Sequence, residues 1–248
     1  MKCVVCVNHV PDTETKVNIG SDGKSIEKTG VNYIINPYDE FAVEECLRLK
    51  EKFGGEVLAI SLGGDQHKET LRKALAMGAD KAILLKDPNT RDTSSVARAL
   101  ADVIKDLSPD VVFFGKQSVD SDDAAVGGMV AEMLGLPSIS VVVKLEIADG
   151  VVTAEREIEG GHERVATRLP VVLTAQKGLN DPRYPSLKGI MGAKSKPIEE
   201  RVPSPGQNMV EVLNMKKPAA KSAGRIVGTD AGGVPELVRL LHEEAKVV

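Results

Sequence analysis

Four short apolar runs, Cys3 to Val7, Val57 to Ile60, Ala82 to Leu85 and Val111 to Phe114, alternate with segments whose apolar residues recur at helical spacing. The helical sets are Val43, Cys46 and Leu47; Leu71, Ala74 and Leu75; and Val96, Leu100, Val103, Ile104 and Leu107. Runs that are apolar at nearly every position predict strands covered on both faces, and a strand-helix-strand spacing of roughly 25 to 30 residues is the βαβ unit. The expected fold is therefore α/β, with a doubly wound, mainly parallel sheet. The first helix is predicted to start near NPYDE, with Asn36 as its cap, Pro37 in its first turn, and Asp39 and Glu40 complementing its dipole. Before it, SIEKTGVNYIIN is expected to add a hairpin at one edge of the sheet.

From about Pro137 the pattern shortens. VVVKLEI, VVTAERE, RVATRL and VVLTA are divided by the turn signals Asp149-Gly150 and Gly160-Gly161, which predicts hairpin-like antiparallel strands extending the sheet. After Thr174 regular periodicity stops, and the stretch from Gln176 to Gln207 carries five of the thirteen prolines. Such a segment reads as a functional loop, an arm or a linker. A final helix from Pro235 to about Ala245 places Leu237, Val238 and Leu241 on one side. Nothing nearby in sequence covers that stripe, so it is expected to pack elsewhere on this domain or on another chain.

Composition narrows the partners. The 248 residues are 42% hydrophobic and 27% charged, with 32 Lys plus Arg against 36 Asp plus Glu, so the chain has material for a sizeable core and a net charge of -4. That balance argues against nucleic-acid or anionic-membrane binding, which rely on summed positive charge. With no Trp and 3% aromatics, base-stacking platforms and aromatic sugar clefts are not expected either. No apolar run approaches the roughly 20 residues that span a bilayer, and MKCVVCVNHVPDTE lacks the layout of a signal peptide, so a soluble cytoplasmic chain without membrane insertion is expected. Cys3, Cys6 and Cys46 fit a reducing compartment. Cys3 and Cys6 form a C-x-x-C inside a strand, where residues three apart point to opposite faces, so they read as core residues rather than a redox or metal pair.

Ligands of open α/β sheets bind beyond the carboxyl ends of the strands. One of those ends combines a glycine, a polar turn and a helix start of small residues, from Gly115 to Gly128. Small residues let a phosphate reach the free N–H groups of a helix N-terminus, which is the nucleotide-binding reading. The alternative is a helix capped by Asp122 or Asp123, and the residues alone leave both open. Neither G-x-G-x-x-G nor G-x-x-x-x-G-K-[ST] is present. His9, His67, His162 and His242 lie in scattered contexts, His162 in a turn, with no catalytic or metal motif. The basic run Lys188 to Lys196, with Arg183, reads as a solvated face or as a strip for an acidic partner.

LPVVLTAQKGLNDPRYPSLKGIMGAKSKP, from Leu169 to Pro197, resembles the signature of the electron transfer flavoprotein β subunits. NPYDEFAVEECLRLKEK, LRKALAMGADKAILL, GKQSVDSDDAAVG and EREIEGG resemble the same family in the same order, so the resemblance covers about residues 1 to 200. It implies a Rossmann-like fold of the adenine-nucleotide-binding type over residues 1 to 200, with a partner-recognition loop at about 178 to 197 and a C-terminal arm and helix over 201 to 248 that pack on an α subunit. It also implies a heterodimer in which FAD sits mostly on the α subunit and this chain supplies one wall. Such a pair is an electron carrier, not an enzyme, taking electrons from flavin dehydrogenases, typically acyl-CoA dehydrogenases, towards a membrane quinone oxidoreductase. The cofactor then carries the chemistry, in keeping with the missing catalytic motifs.

By the same resemblance this chain holds a structural AMP. Its contacts would be Cys6, Asn36, Pro37, Tyr38, Asp39, Leu62, Gly115, Lys116, Gln117, Ser118, Val119, Asp120, Ser121, Asp122, Asp123, Ala124, Ala125 and Val126. AMP-type members often have Asn and Thr where this chain has Ala124 and Val126. The form D-x-D-D-A-A-V-G resembles the electron-bifurcating members, which hold a second FAD there. Their pattern, however, has Thr and Gln where this chain has Asp123 and Ala125, and Asp123 would repel a second phosphate if it pointed into the site. AMP is the reading preferred here, with a second FAD as its alternative. A stand-alone adenine-nucleotide-binding regulator shares the sheet but has no evident use for the arm, and an enzyme acting on adenylated substrates has only Lys116 to offer. Leu187 matches the family's partner-anchoring leucine, and Pro182, Arg183, Tyr184, Ile190 and Met191 are expected to dock the partner with it.

Overall fold

The structure, a computed structural model, describes residues 1–89, 91–220 and 223–248. The chain runs through β1 (Lys2–Cys6), β2 (His9–Pro11), β3 (Tyr33–Ile35), α1 (Pro37–Phe53), β4 (Glu56–Gly63), α2 (His67–Met77), β5 (Lys81–Lys86), α3 (Thr93–Leu107), β6 (Val111–Gly115) and α4 (Val126–Leu134). It continues through β7 (Ser138–Ala148), β8 (Val151–Ile158), β9 (Gly161–Arg168), β10 (Val171–Ala175), α5 (Leu187–Ser195), β11 (Ile198–Arg201) and α6 (Val234–Leu240). Among the described residues nine strands form one sheet in the order β11-β5-β4-β1-β6-β10-β7-β8-β9.

Apolar strands covered on both faces produce two cores. Cys3 and Val5 join the α1 and α2 side, whereas Val4 and Cys6 join the α3 and α4 side. The C-x-x-C therefore straddles the sheet, and all three cysteines are buried and free. The sheet is doubly wound and mostly parallel, as the alternating pattern implies; β8 runs antiparallel to both of its neighbours, β7 and β9.

Three expectations need correction. VVLTA is not a hairpin arm: β10 inserts between β6 and β7 and runs parallel to both. The NYIIN strand does not extend the main sheet, since β3 pairs with β2 in a separate two-stranded sheet. The stretch after Thr174 is not irregular throughout, for it contains α5 and β11. Ser186 starts α5, its hydroxyl accepting from the Gly189 N–H at 3.0 Å. Only Ala193 of that helix is buried, so no apolar period marks it. It lies on α2 because Gly189 permits the approach: a Cβ there would sit 2.4 Å from the Ala76 carbonyl oxygen.

Beyond β11 the arm is strapped to the body by polar contacts. Arg98 donates to the Pro205 carbonyl at 2.6 Å, the Ser95 hydroxyl to that of Gln207 at 2.9 Å, and the Val210 N–H to Asp92 at 2.9 Å. Apart from its flanking turns, α6 packs extensively on no other element among the described residues, with Leu237 and Val238 exposed and Leu241 half-buried. No helix among those residues is long and apolar enough to cross a membrane.

Candidate functional site

β1 pairs with β4 on one side and β6 on the other, so the chain's winding reverses there and the loops beyond their carboxyl ends diverge. A crevice at such a switch point is where doubly wound sheets bind ligands. The structure brings Cys6, Asn36 to Asp39 and the 115–126 loop to this end of the sheet, with Leu62 one strand away at the end of β4.

Asp39 holds the crevice together. Its carboxylate accepts from the Asn8 N–H at 2.7 Å, the Gly115 N–H at 3.0 Å and the Asn36 side-chain amide at 2.9 Å, joining the ends of β1 and β6 to the first turn of α1. Burial pushes this carboxyl up to about 7; the three donors pull the other way, and nearby Asp120 adds a smaller upward push. Gly115 is required by the same closeness, since a Cβ would lie 2.4 Å from Asp39 Oδ1 and 2.8 Å from the Tyr38 carbonyl carbon. Beside it, the Lys116 ammonium sits 5.2 Å from the centre of the Tyr38 ring, a cation–π contact.

Asn36 occupies the N-cap position of α1 but makes no side-chain cap. Its amide group instead donates to the Gln117 carbonyl at 2.9 Å and its oxygen accepts from the Val119 N–H at 3.2 Å, so it braces the 115–126 loop. Further along, Asp122 and Ala124 adopt positive φ of 55° and 51°. Neither Asp122 nor Asp123 caps α4, whose N-cap is Ala125 without a side-chain bond. Asp122 accepts from Gln117 at 2.7 Å, and Asp123 accepts from the hydroxyl of Thr93 at the start of α3. Among the described residues the N–H groups of Asp123 through Gly128 have no acceptor, which leaves a run of amides at a helix start of the kind that binds anions.

The two glycines of α4 differ. A Cβ on Gly127 would lie 2.7 Å from Thr174 Cγ2 and 3.4 Å from Phe114, whereas one on Gly128 meets nothing within 4 Å. Gly127 is thus needed for close packing of α4 on the sheet, and only Gly128 is open. Gly127→Val is expected to lose about 1–3 kcal/mol through overpacking. Gly128→Ala should leave the thermal midpoint nearly unchanged or slightly raised, because Ala favours helix. Equal melting temperatures for the two variants would disprove the packing role.

Two clusters were not foreseen. His9 and His67 are brought together, ring centres 5.1 Å apart, with His9 stacked on Tyr33 at 4.8 Å. Their Nδ1 atoms bond the Thr70 and Ser61 hydroxyls at 2.8 and 2.9 Å, and burial lowers both imidazoles, that of His67 to about 4. The other cluster lies on α1. Asn180 donates to the Phe41 carbonyl at 3.0 Å and to Glu45 at 2.9 Å, and Arg183 forks onto Glu44 at 2.8 and 3.0 Å while reaching Glu51 at 2.5 Å. Arg183 is therefore engaged with its own chain and is not part of a free basic strip. Tyr184, Leu187 and Met191 are 96%, 82% and 73% exposed, and Ile190 beside them is exposed as well. The pairing of distant residues left no sequence signal in either cluster.

A switch-point crevice in a doubly wound, mostly parallel sheet defines a Rossmann-like α/β protein. The family model described as electron transfer flavoprotein domain matches residues 24–205. The chain is 40% identical to the electron transfer flavoprotein subunit beta of Bacillus subtilis over 259 residues, covering 100% of both chains. Against the subunits of the same name from Bradyrhizobium diazoefficiens and Mus musculus the identities are 40% over 252 residues and 37% over 258, with 100% of this chain covered in each case. The chain belongs to the electron transfer flavoprotein β-subunit family, a family with an electron-transfer role.

Proposed function

We propose that this chain is the β half of a cytoplasmic heterodimer that carries electrons from flavin dehydrogenases, such as acyl-CoA dehydrogenases, to a quinone oxidoreductase of the respiratory chain. Residues 1 to 200 form the nucleotide-binding body and residues 201 to 248 the arm that packs on the α subunit. FAD, held mainly by that subunit and walled on one side by this one, supplies the redox chemistry when bound. This chain's residues bind and orient. The 115–126 loop, braced by Asn36 and Asp39, holds a structural AMP, and Leu187 docks the electron donor.

The observation that carries the AMP reading is the run of unpaired N–H groups from Asp123 to Gly128 beside the small residues Ala124 and Ala125, which fits a phosphate without any basic side chain. One observation favours the alternative, a second FAD in an electron-bifurcating pair. Asp123 is bonded to Thr93, and this engagement weakens the argument that its charge repels a second phosphate. A stand-alone regulatory domain fits less well, because Leu237 and Val238 would remain exposed without a partner.

The test is to denature the co-purified heterodimer and identify the released nucleotides by chromatography. One AMP and one FAD per pair is the expected result. Two FAD and no AMP would establish the bifurcating alternative, and FAD alone would overturn the AMP assignment. The β chain expressed by itself should retain no stoichiometric FAD, and a flavin-loaded β monomer would refute the shared pocket.

A further inference from the structure

The loop before Leu187 is held at two levels. The Arg183 guanidinium makes a two-pronged bond to Glu44, and the Arg183 backbone N–H donates to the same carboxylate at 3.2 Å. The Glu44 side chain is only 4% exposed, so this carboxylate is itself fixed in place. Its ionised form is favoured: Arg183 and Arg48 pull its pKa down despite burial. One residue is thereby fixed by both side chain and main chain, between Pro182 and Pro185, whose φ angles are restricted by their rings. Asn180 ties the incoming strand of the loop to α1, and Gly189 seats the outgoing helix against Ala76. Tyr184 and Leu187 project from this frame into solvent.

We propose that Arg183 is a positioning residue for electron-donor docking: it does not touch the dehydrogenase, and its clamp on Glu44 and Glu51 holds Leu187 in the docking conformation. The inference rests on the reading of Leu187 as a docking residue. Its physical basis is preorganisation, since a loop ordered before the encounter loses less conformational freedom on binding. A bidentate guanidinium suits this role better than an ammonium, which makes no planar fork.

The test uses the αβ heterodimer and the variants Arg183→Gln, Arg183→Lys, Leu187→Ala and Arg183→Gln with Leu187→Ala. Amide hydrogen exchange without any dehydrogenase should accelerate about 10-fold or more over residues 180–187 in Arg183→Gln, with the sheet unchanged. Arg183→Lys keeps a charge beside buried Glu44 and should show a smaller rise, so it serves if the glutamine variant does not assemble. Unchanged exchange in both overturns the clamp. With an acyl-CoA dehydrogenase as donor, the half-saturating heterodimer concentration should rise on the order of 10-fold in Arg183→Gln while the maximal rate moves less than about two-fold. Adding Leu187→Ala to that background should cost little more. A full additional loss would show independent contributions and overturn the positioning role. If Leu187→Ala alone leaves transfer unaltered, the docking reading fails, a result distinct from an unchanged exchange profile.

Discussion

Asp39→Ala is expected to destabilise the chain by about 3 kcal/mol or more and to abolish nucleotide retention. The substitution leaves the Asn8 N–H, the Gly115 N–H and the Asn36 amide without their shared acceptor, and each buried donor left unpaired costs roughly 1–3 kcal/mol. Because those three groups lie on the end of β1, the end of β6 and the start of α1, the loss also frees the loop that Asn36 braces. Asp39→Asn retains one acceptor oxygen but turns an NH2 group towards a donor, so it should be damaging too. Denaturant midpoints of the heterodimer and chromatography of released nucleotide measure both effects. Normal nucleotide content in Asp39→Ala would refute the crevice assignment.

The same residue gives stability a pH dependence of known sign. The native carboxyl titrates at about 7 and an unperturbed one at 3.8. Between these values the native chain binds a proton that the unfolded chain has released, so this contribution is fully present below the lower pKa and is lost as pH rises through the upper one. The non-titrating Asp39→Asn lacks that decline. The stability gap between the native protein and Asp39→Asn should therefore be wider at about pH 5 than at about pH 8. A constant gap would show that Asp39 does not titrate in this window.

Much of this architecture was legible because burial on both faces writes itself into sequence. Strands such as Val111–Gly115 are apolar at nearly every position, and α3 repeats Val96, Leu100, Val103, Ile104 and Leu107 at helical spacing. The opposed placement of Cys3 and Cys6 followed from strand geometry alone. Pairing order was not legible. Turn signals on either side of β8 suggest local hairpins, but where β10 inserts depends on partners far along the chain. Helix α5 was hidden for a related reason: it is fixed by the α2 contact at Gly189, not by an apolar stripe of its own.

At the site, residue types were easier to read than their partners. Gly115, Asn36 and Asp39 stood out as strand-end and helix-start residues. That Asn36 spends its amide on Gln117 and Val119, not on its own helix, needs two loops to meet. The aspartates of the 115–126 loop show the same limit. Local rules allow Asp122 or Asp123 to cap α4, but Asp122 turns back to Gln117 within the loop and a tertiary contact with Thr93 takes Asp123 elsewhere.

Leu187→Ala is expected to weaken electron transfer from the dehydrogenase on the order of 10-fold or more while leaving folding and FAD content nearly unchanged. Leu187 opens α5 and is 82% exposed, so its side chain contributes little to the chain's own core. Moving such a side chain from water into an apolar pocket gains about 1.5–3 kcal/mol, and truncation to alanine forfeits most of it. The neighbouring exposure of Tyr184 and Met191 supplies a rim around it. Prolines on the approach keep the ordering cost low, so the lost burial should show in affinity and not be offset by a looser loop. Transfer rates against heterodimer concentration and a thermal melt on the same variant decide the matter. Weaker transfer with an intact melt supports docking by Leu187, whereas a lowered melting temperature with normal transfer would assign the leucine to the fold instead.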